Sequence, residues 1–181
     1  MFARQYVYFM QCDFGGPIKI GCSHKPTLRQ QVARPEMPFE LVLIGQVPGS
    51  YYIEDFLHCW FRPWNIRGEW FQPHPELWRT ALEARTKGAI HFLPPDIPRG
   101  MRAELHSSDW LRSHFKVPVE EIAGLMGCSV RNVEGIEAQP TTTNHLYLAA
   151  LSVALTRRGH GVDLRERMAR RIAPCASPEA A

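Results

Sequence analysis

The amino-acid sequence predicts an α+β protein: a small three-stranded antiparallel sheet flanked by helices, followed by an all-helical bundle. A glycine-rich turn between two short runs of aromatic and β-branched residues predicts the first two strands, and an apolar run at 40–47 predicts the third. Beyond residue 100 the apolar residues recur at helical spacing without an evident strand pattern, which predicts the bundle. A chain of 181 residues is long enough for one ordinary domain or two small ones.

The first two strands form a predicted β-hairpin. Residues 6–10 (YVYFM) are aromatic or β-branched, and residues 13–16 end in two glycines that supply the positive φ of a hairpin turn. Residues 17–21 (PIKIG) alternate, so Lys19 faces away from the two isoleucines beside it. A short helix is predicted over 26–34, because a proline opens it and another follows it.

The rest of the first domain alternates between strand and helix patterns. The run 40–47 (ELVLIGQV) is apolar enough to be the central or best-buried strand. Ser50 is placed to cap an amphipathic helix over 51–62. Residues 67–71 predict a turn and a short extended piece, and 75–87 predict another helix. The sheet-facing residues of the first of these helices are Ile53, Phe56, Leu57, Trp60 and Phe61.

Three prolines between 91 and 103 indicate a linker, because proline cannot continue a helix. The predicted organisation is therefore a domain at 1–90, the linker, a helical domain at 104–172 and a flexible tail at 173–181. The predicted helices of the second domain are 107–115, 119–126, 129–138 and 141–157.

Composition restricts the class of protein. A net charge of +3 is too small to indicate a nucleic-acid binder, so any basic surface must be local. The five cysteines contain no C-x-x-C pair, which favours free thiols in a reducing cytoplasm. No signal peptide and no membrane-length apolar run is evident. We expect a cytoplasmic protein with no membrane partner and no organic cofactor; a homodimer is left open.

Five side chains of the first domain suit a metal and a phosphate: Tyr8, Lys19, Arg29, Glu54 and His58. Glu54 and His58 lie four residues apart, so they share one face of the predicted helix. Taken one at a time, each has an ordinary interpretation as a half-buried strand aromatic, a surface cation or an exposed helix pair. Their joint order along the chain favours the functional interpretation.

That order resembles the GIY-YIG nuclease superfamily. Residues 6–8 (YVY) and 19–21 (KIG) stand where the family has its two tripeptides, Arg29 matches the helix arginine and Glu54 the metal-binding glutamate. The ending at 67–71 (RGEWF) is similar to that of a compact phage and bacterial branch. The resemblance covers roughly the first half of the chain and implies metal-dependent hydrolysis of DNA.

What the resemblance implies can be argued chemically. Glu54, a lone carboxylate, suits Mg²⁺ or Mn²⁺, since such ions keep several waters and take phosphate oxygens as ligands. Arg29 can donate two hydrogen bonds to a phosphate. Tyr8 can take or relay a proton from the attacking water if a neighbouring cation lowers its pKa from about 10.

Some positions depart from the family pattern. Lys19 stands where many members have tyrosine; we expect it beside Tyr8 across the hairpin, where it lowers the Tyr8 pKa, binds phosphate or acts as a base. His58 would donate a proton or orient a metal-bound water. The late asparagine of the family has no clear counterpart: Asn65 is the nearest candidate, and Glu69 is interpreted as structural.

The pattern at 119–138 is typical of a helix-turn-helix and resembles the Cro/repressor class. Ala123 allows two helices to approach closely, and Gly127 supplies a positive-φ turn. The second of these helices would enter the major groove of DNA with three donors near its start. These DNA-binding candidates are Ser129, Arg131 and Asn132.

The charges around this motif argue against DNA binding. Four carboxylates lie on the same two helices, at Glu120, Glu121, Glu134 and Glu137. A packing or dimerisation module descended from a DNA binder is therefore an open alternative. Six arginines between 157 and 171 would add phosphate contacts or form a solvated helix face.

Two functions follow from the sequence. The first is a metal-dependent DNA endonuclease that the helical domain positions on DNA. The second is a DNA-binding or regulatory protein that keeps a nuclease-like fold without its activity.

Overall fold

The structure is a computed structural model that describes residues 4–28, 39–94, 96, 101–104, 112–139, 141–142, 144–160 and 172–174. The chain divides into two compact units, 1–96 and 97–181. The first combines a sheet with helices and the second is mainly helical, so the fold class is α+β as predicted.

The first unit is built on a five-stranded antiparallel sheet with the order β3-β1-β2-β5-β4. The sequence predicted three of these strands and a short extended piece at 67–71 that contains β5, but it did not place this piece in the sheet and it missed β4. Strands of two and three residues are too short to carry an alternating pattern, which explains the difference. The strands are β1 (Tyr6–Cys12), β2 (Ile18–Ser23), β3 (Leu41–Pro48), β4 (Asn65–Arg67) and β5 (Trp70–Phe71).

The β1–β2 hairpin has the predicted turn, with positive φ at Gly15 and Gly16. Its register differs from the expected one. Lys19 is opposite Met10, whereas Tyr8 is opposite Gly21. Lys19 and Tyr8 are therefore diagonal neighbours rather than a directly opposed pair.

Strand β3 is an edge strand, so the prediction that it is central is wrong. The central position belongs to β1, which is paired on both sides and buried along nearly its whole length. The apolar character of β3 comes from a helix that packs against it. Gly45 allows this helix to approach, since a Cβ atom there would lie only 2.2 Å from the Ala81 carbonyl oxygen.

The described part of the first unit contains two complete helices, α1 (Tyr51–Trp60) and α2 (Pro75–Lys87). Residues 26–28 are helical as well, and the rest of the helix predicted over 26–34 lies outside the described residues. As predicted, Ser50 caps α1 by accepting a hydrogen bond from the Tyr52 N–H. The helix ends two residues before the predicted end, because a short 3₁₀ segment (Arg62–Trp64) with a proline follows. Helix α2 has the predicted bounds and ends at a left-handed glycine, Gly88.

The second unit contains three helices in the described ranges: α3 (Val119–Met126), α4 (Val130–Glu137) and α5 (His145–Arg157). Gly127 has the predicted positive φ between α3 and α4. Of the helix predicted over 107–115, only 112–115 falls within the described residues; 112–114 is helical and 115 lies in a turn.

The second unit also contains strands, so the prediction of an all-helical domain is wrong. A small antiparallel sheet has the order β7-β6-β8. Its strands are β6 (Met101–Glu104), β7 (Thr141–Thr142) and β8 (Ile172–Pro174). Strand β6 lies at the end of the proposed linker, β7 at the start of the helix predicted over 141–157, and β8 at the boundary of the predicted tail. None has the length or alternation that identifies a strand from sequence.

Within the described part of the chain, no helix is long and apolar enough to cross a membrane.

The close approach at Gly45 can be tested by Gly45→Ala. We expect a loss of about 1–3 kcal/mol of stability, because the contacted atom is backbone and cannot rotate away. Tryptophan fluorescence during urea unfolding reports this unit, since four of the five tryptophans lie in it.

Gly135→Ala in α4 is the control, because a Cβ atom there meets nothing within 4 Å. It should leave the tryptophan transition in place. An unchanged transition in Gly45→Ala would contradict the described packing of α2 on β3.

Candidate functional site

The candidate site is built around the edge of β2 at Ile20–Cys22. Strand β5 pairs with β2 only at its beginning, so the following backbone groups need other partners. Helix α1 supplies two of them. The Glu54 carboxylate accepts a hydrogen bond from the Cys22 N–H, and His58 Nε2 lies 3.1 Å from the Ile20 carbonyl oxygen. The predicted shared face of Glu54 and His58 is thus directed at this edge.

The His58 contact fixes the form of the imidazole. A carbonyl oxygen only accepts, so Nε2 carries the proton. Burial lowers the pKa of His58, which keeps the ring neutral and leaves Nδ1 as its acceptor. The ring also packs against Phe71, with 5.2 Å between centroids.

Tyr8 lies against Gly21 on the neighbouring strand. Its hydroxyl oxygen is 2.6 Å from the position that a Cβ atom on Gly21 would take, so a glycine is required there. Tyr8 is 4% exposed. Because Cys22 is the next residue, the Tyr8 hydroxyl and the Glu54 carboxylate both lie near the Gly21–Cys22 peptide.

Lys19 is held by β5 and the turn before it. Its ammonium forms an ion pair with Glu69 and lies 5.8 Å from the centroid of the Trp70 ring. The Glu69 carbonyl oxygen accepts from the Ile20 N–H, 3.0 Å away, which fixes Glu69 beside β2. The Lys19 ammonium is therefore present at the site as expected, but the Glu69 carboxylate compensates its charge.

Glu54 has an unusual electrostatic environment. It is 8% exposed and forms no ion pair within the described residues. Burial raises its pKa to about 8, and the carboxylates of Glu69 and Asp55 add to this effect. Lys19 and the Cys22 N–H act in the opposite direction but do not cancel it. A nearby cation would favour the charged form of Glu54.

The structure brings together four of the five predicted catalytic residues. Tyr8, Lys19, Glu54 and His58 surround β2 between 19 and 22, whereas Arg29 lies outside the described residues.

Sequence reasoning missed Glu69 as part of this site. The signal was present, because a charged residue directly before a short extended piece can reach a neighbouring strand once that piece is recognised as β5. Asn65, the nearest candidate for the late asparagine, instead closes the β4–β5 hairpin. Its amide donates to the carbonyl oxygens of Gly68 (2.8 Å) and Trp70 (3.2 Å).

The predicted DNA-binding residues lie at the start of α4. Ser129 is the N-cap, accepting from the Asn132 N–H at 3.3 Å, and Arg131 and Asn132 are exposed.

Two of the four carboxylates on these helices are paired with arginine. Arg112 forms two hydrogen bonds with Glu137, at 2.7 and 3.0 Å, and Arg158 forms two with Glu121, at 2.8 and 2.6 Å. The Tyr147 hydroxyl also donates to Glu137. Arg158 is thus engaged by a carboxylate, and the arginines from 165 to 171 lie outside the described residues.

Within the described residues, no group of three or more His, Cys, Asp or Glu side chains could hold a metal ion. The Cys22 thiol is neutral, since burial and the charges of Glu54 and Asp96 raise its pKa to about 12. No protein-family model, curated protein or solved structure matches this chain.

The environment of Glu54 predicts a pH-dependent effect of Glu54→Gln. The folded pKa, about 8, lies above the ordinary value of 4.5, so Glu54 contributes stability below pH 4.5 that is lost as the pH rises through 8. Glutamine has no such loss. The stability of the variant relative to the natural protein should therefore rise between pH 4.5 and 8, by at most about 1.4 kcal/mol per pH unit.

Urea unfolding at several pH values in EDTA measures this difference. Asp55→Asn is the matched control, because burial raises the pKa of Asp55 only to about 6. The stability difference of this variant should therefore change between pH 3.8 and 6 and stay constant above that. A difference that stays flat from pH 4.5 to 8 in Glu54→Gln would show that Glu54 is not buried as described.

Proposed function

We propose that the protein is a metal-dependent DNA endonuclease of the GIY-YIG type, in which the first unit cleaves and the second, helix-turn-helix-like unit positions it on DNA. The observation that carries the proposal is the buried Glu54 carboxylate beside Glu69 and Lys19. Groups with strongly shifted pKa values cluster at functional sites.

The donors at the site fit a hard divalent cation. Glu54 and Glu69 are carboxylates, and Mg²⁺ and Mn²⁺ prefer oxygen ligands and keep several waters, so a set of three protein ligands is not needed. Such an ion supplies an activated water and neutralises charge on the phosphate. The raised pKa of Glu54 supports this fit, because Lys19 only partly compensates the charged form of the carboxylate. A bound metal ion would supply the missing positive charge.

The chain's own residues have distinct roles in this proposal. Lys19 binds a phosphate oxygen once its ion pair with Glu69 is broken, and Arg29 binds the phosphate through two hydrogen bonds. Tyr8 relays the proton of the attacking water from its position against Gly21. His58 holds α1 at the strand edge through Nε2 and has Nδ1 available to accept a proton.

The paired carboxylates of the second unit support its role as a DNA-binding module. Glu121 and Glu137 are each held by an arginine, so their charges are compensated. Helix α4 then presents Arg131 and Asn132 at its exposed start, where such side chains reach phosphates and base edges.

The second candidate function is a DNA-binding or regulatory protein without nuclease activity. The Lys19–Glu69 ion pair favours it, because Lys19 is neutralised where a nuclease would use its charge. The burial of Tyr8 favours it as well. Strong binding of DNA in a gel shift, without cleavage in any divalent metal, would decide for this function.

The cleavage reaction predicts that Glu54→Ala and Arg29→Ala reduce nicking of supercoiled DNA in Mg²⁺ or Mn²⁺ by at least about a hundredfold. The reason is that the first removes the proposed metal ligand and the second a contact to transition-state charge. Agarose gel electrophoresis of plasmid nicking over time measures the rate.

Glu83→Ala on α2 is the control, since Glu83 pairs with Lys87 and His91 away from this site. It should nick at the natural rate. Full activity of both Glu54→Ala and Arg29→Ala would rule out the catalytic assignment.

The DNA-binding role of α4 predicts that Arg131→Ala weakens DNA binding and that Glu134→Gln strengthens it. Both residues are exposed on the same helix, and their charges act on the phosphate backbone with opposite sign. Fluorescence anisotropy over a range of salt concentrations should show a smaller salt slope for Arg131→Ala, by about one unit.

Arg79→Ala on α2 serves as the charge-matched control. If it weakens binding as much as Arg131→Ala does, the effect reports net charge alone and α4 is not the DNA-binding element.

A further inference from the structure

A basic surface lies beside the candidate site, on the segment that follows α1 and forms β4 and β5. Within residues 62–70 the charged side chains are Arg62, Arg67 and Glu69. Glu69 is paired with Lys19, whereas neither arginine forms an ion pair or a side-chain hydrogen bond within the described residues. Both arginines are exposed. The segment therefore presents two positive charges without a carboxylate partner in the described part of the chain.

The register of the sheet places Arg67 in one row with Lys19. Lys19 is paired with Trp70 across β2 and β5, and Trp70 is paired with Arg67 across β5 and β4. Residues paired in this way lie on the same face of an antiparallel sheet, and two strand spacings put the Cα atoms of Lys19 and Arg67 about 10 Å apart. Trp70 packs against the buried cluster that contains Tyr8, so the row lies on the Tyr8 face of the sheet.

The β4–β5 hairpin fixes the backbone that carries Arg67. A two-residue turn at 68–69 joins Arg67 to Trp70, and Gly68 supplies the positive φ of this turn, 52°. The Asn65 amide closes the hairpin by donating to the carbonyl oxygens of Gly68 and Trp70. A side chain on such a closed hairpin loses less conformational freedom when it binds a ligand.

Arg62 lies next to the end of α1 that carries His58. The Phe61 N–H still donates to the Leu57 carbonyl oxygen at 2.9 Å, so Arg62 follows His58 by about one helical turn. Burial is the main cause of the lowered pKa of His58, and the charges of Lys19 and Arg62 act in the same direction. The positive charge of Arg62 is thus close enough to act on the candidate site.

We propose that Lys19, Arg62 and Arg67 form a surface that binds the phosphate backbone of DNA next to the candidate site. A DNA strand carries one phosphate per about 3.4 Å of helix axis, so phosphates about three nucleotides apart match the spacing of Lys19 and Arg67. The two arginines make the first contacts, because Lys19 is held by Glu69. Contacts to phosphates hold the DNA in place without selecting its sequence.

The proposal rests on the proposed function in taking DNA as the ligand, but its test requires no cleavage. Fluorescence anisotropy measures binding of the full chain to a labelled DNA duplex in EDTA, over a range of salt concentrations. The test variant combines Arg62→Ala with Arg67→Ala. The control combines Arg79→Ala with Arg85→Ala, which removes the same charge from exposed positions of α2, the helix that packs on β3.

We expect the test variant to bind DNA at least about tenfold more weakly at about 0.1 M salt, with a salt slope smaller by about two units, one for each phosphate contact. The control should stay within about twofold of the natural protein, since salt screens charges that do not contact the DNA. Arg62→Lys combined with Arg67→Lys should keep most of the salt slope, because the charges remain. Thermal unfolding confirms that each variant is folded.

An unchanged salt slope in the test variant, or an equal loss in the control, would overturn the proposal. An equal loss in the lysine variant would do so too, as would a natural protein that does not bind DNA. If binding depends on the two arginines but no divalent metal supports nicking, this surface stands and the nuclease does not. Nicking by a protein whose DNA affinity is independent of both arginines would keep the nuclease and remove the surface.

Discussion

The hydrogen bonds between α1 and the edge of β2 are the interaction on which the rest of the site depends. Backbone groups at a buried strand edge need partners, and two side chains four residues apart on α1 provide them. To do so, Glu54 and His58 must face the sheet rather than solvent. Burial then raises the pKa of Glu54 and lowers that of His58. One structural requirement therefore produces both the docking of the helix and the unusual chemistry of its side chains.

The charges at this site compete for one cation. Lys19 is paired with Glu69, and its favourable effect on Glu54 does not outweigh burial and the neighbouring carboxylates. Two carboxylates beside a single ammonium leave an excess of negative charge whenever Glu54 is ionised. A divalent cation would remove that excess and weaken the hold of Glu69 on Lys19. In the proposed nuclease, metal binding and phosphate binding should accordingly reinforce each other.

The sequence predicts correctly the elements that have a repeating apolar pattern or a local signal at their ends. The bounds of α2 and α3, the Ser50 cap and the positive φ of Gly127 agree with it, because apolar spacing, caps and glycine turns are local signals. The edge position of β3, the pairing of β5 with β2 and the short strands β4, β6, β7 and β8 were not predictable in this way, since they depend on pairing between distant segments. For the same reason the sequence placed Lys19 directly beside Tyr8, whereas the two are diagonal neighbours, and it did not assign Glu69 to the site. The role of Glu69 follows from the pairing of β5 with β2.

In the second unit, the number of charged residues does not by itself describe the charge that the surface exposes. The sequence treats the four glutamates of α3 and α4 alike, as charges that oppose binding to a phosphate backbone, but their surroundings in the structure differ. The arginine pairing of Glu137 is strong, since the hydrogen bonds that its carboxylate accepts, two from Arg112 and one from Tyr147, are largely shielded from solvent. That carboxylate is used to hold α4 against its neighbours. The charged side chains that remain exposed on α4 are Arg131 and Glu134, so in the proposed DNA-binding role two side chains of opposite charge, rather than the net charge of the unit, would decide the affinity of this helix for a phosphate backbone.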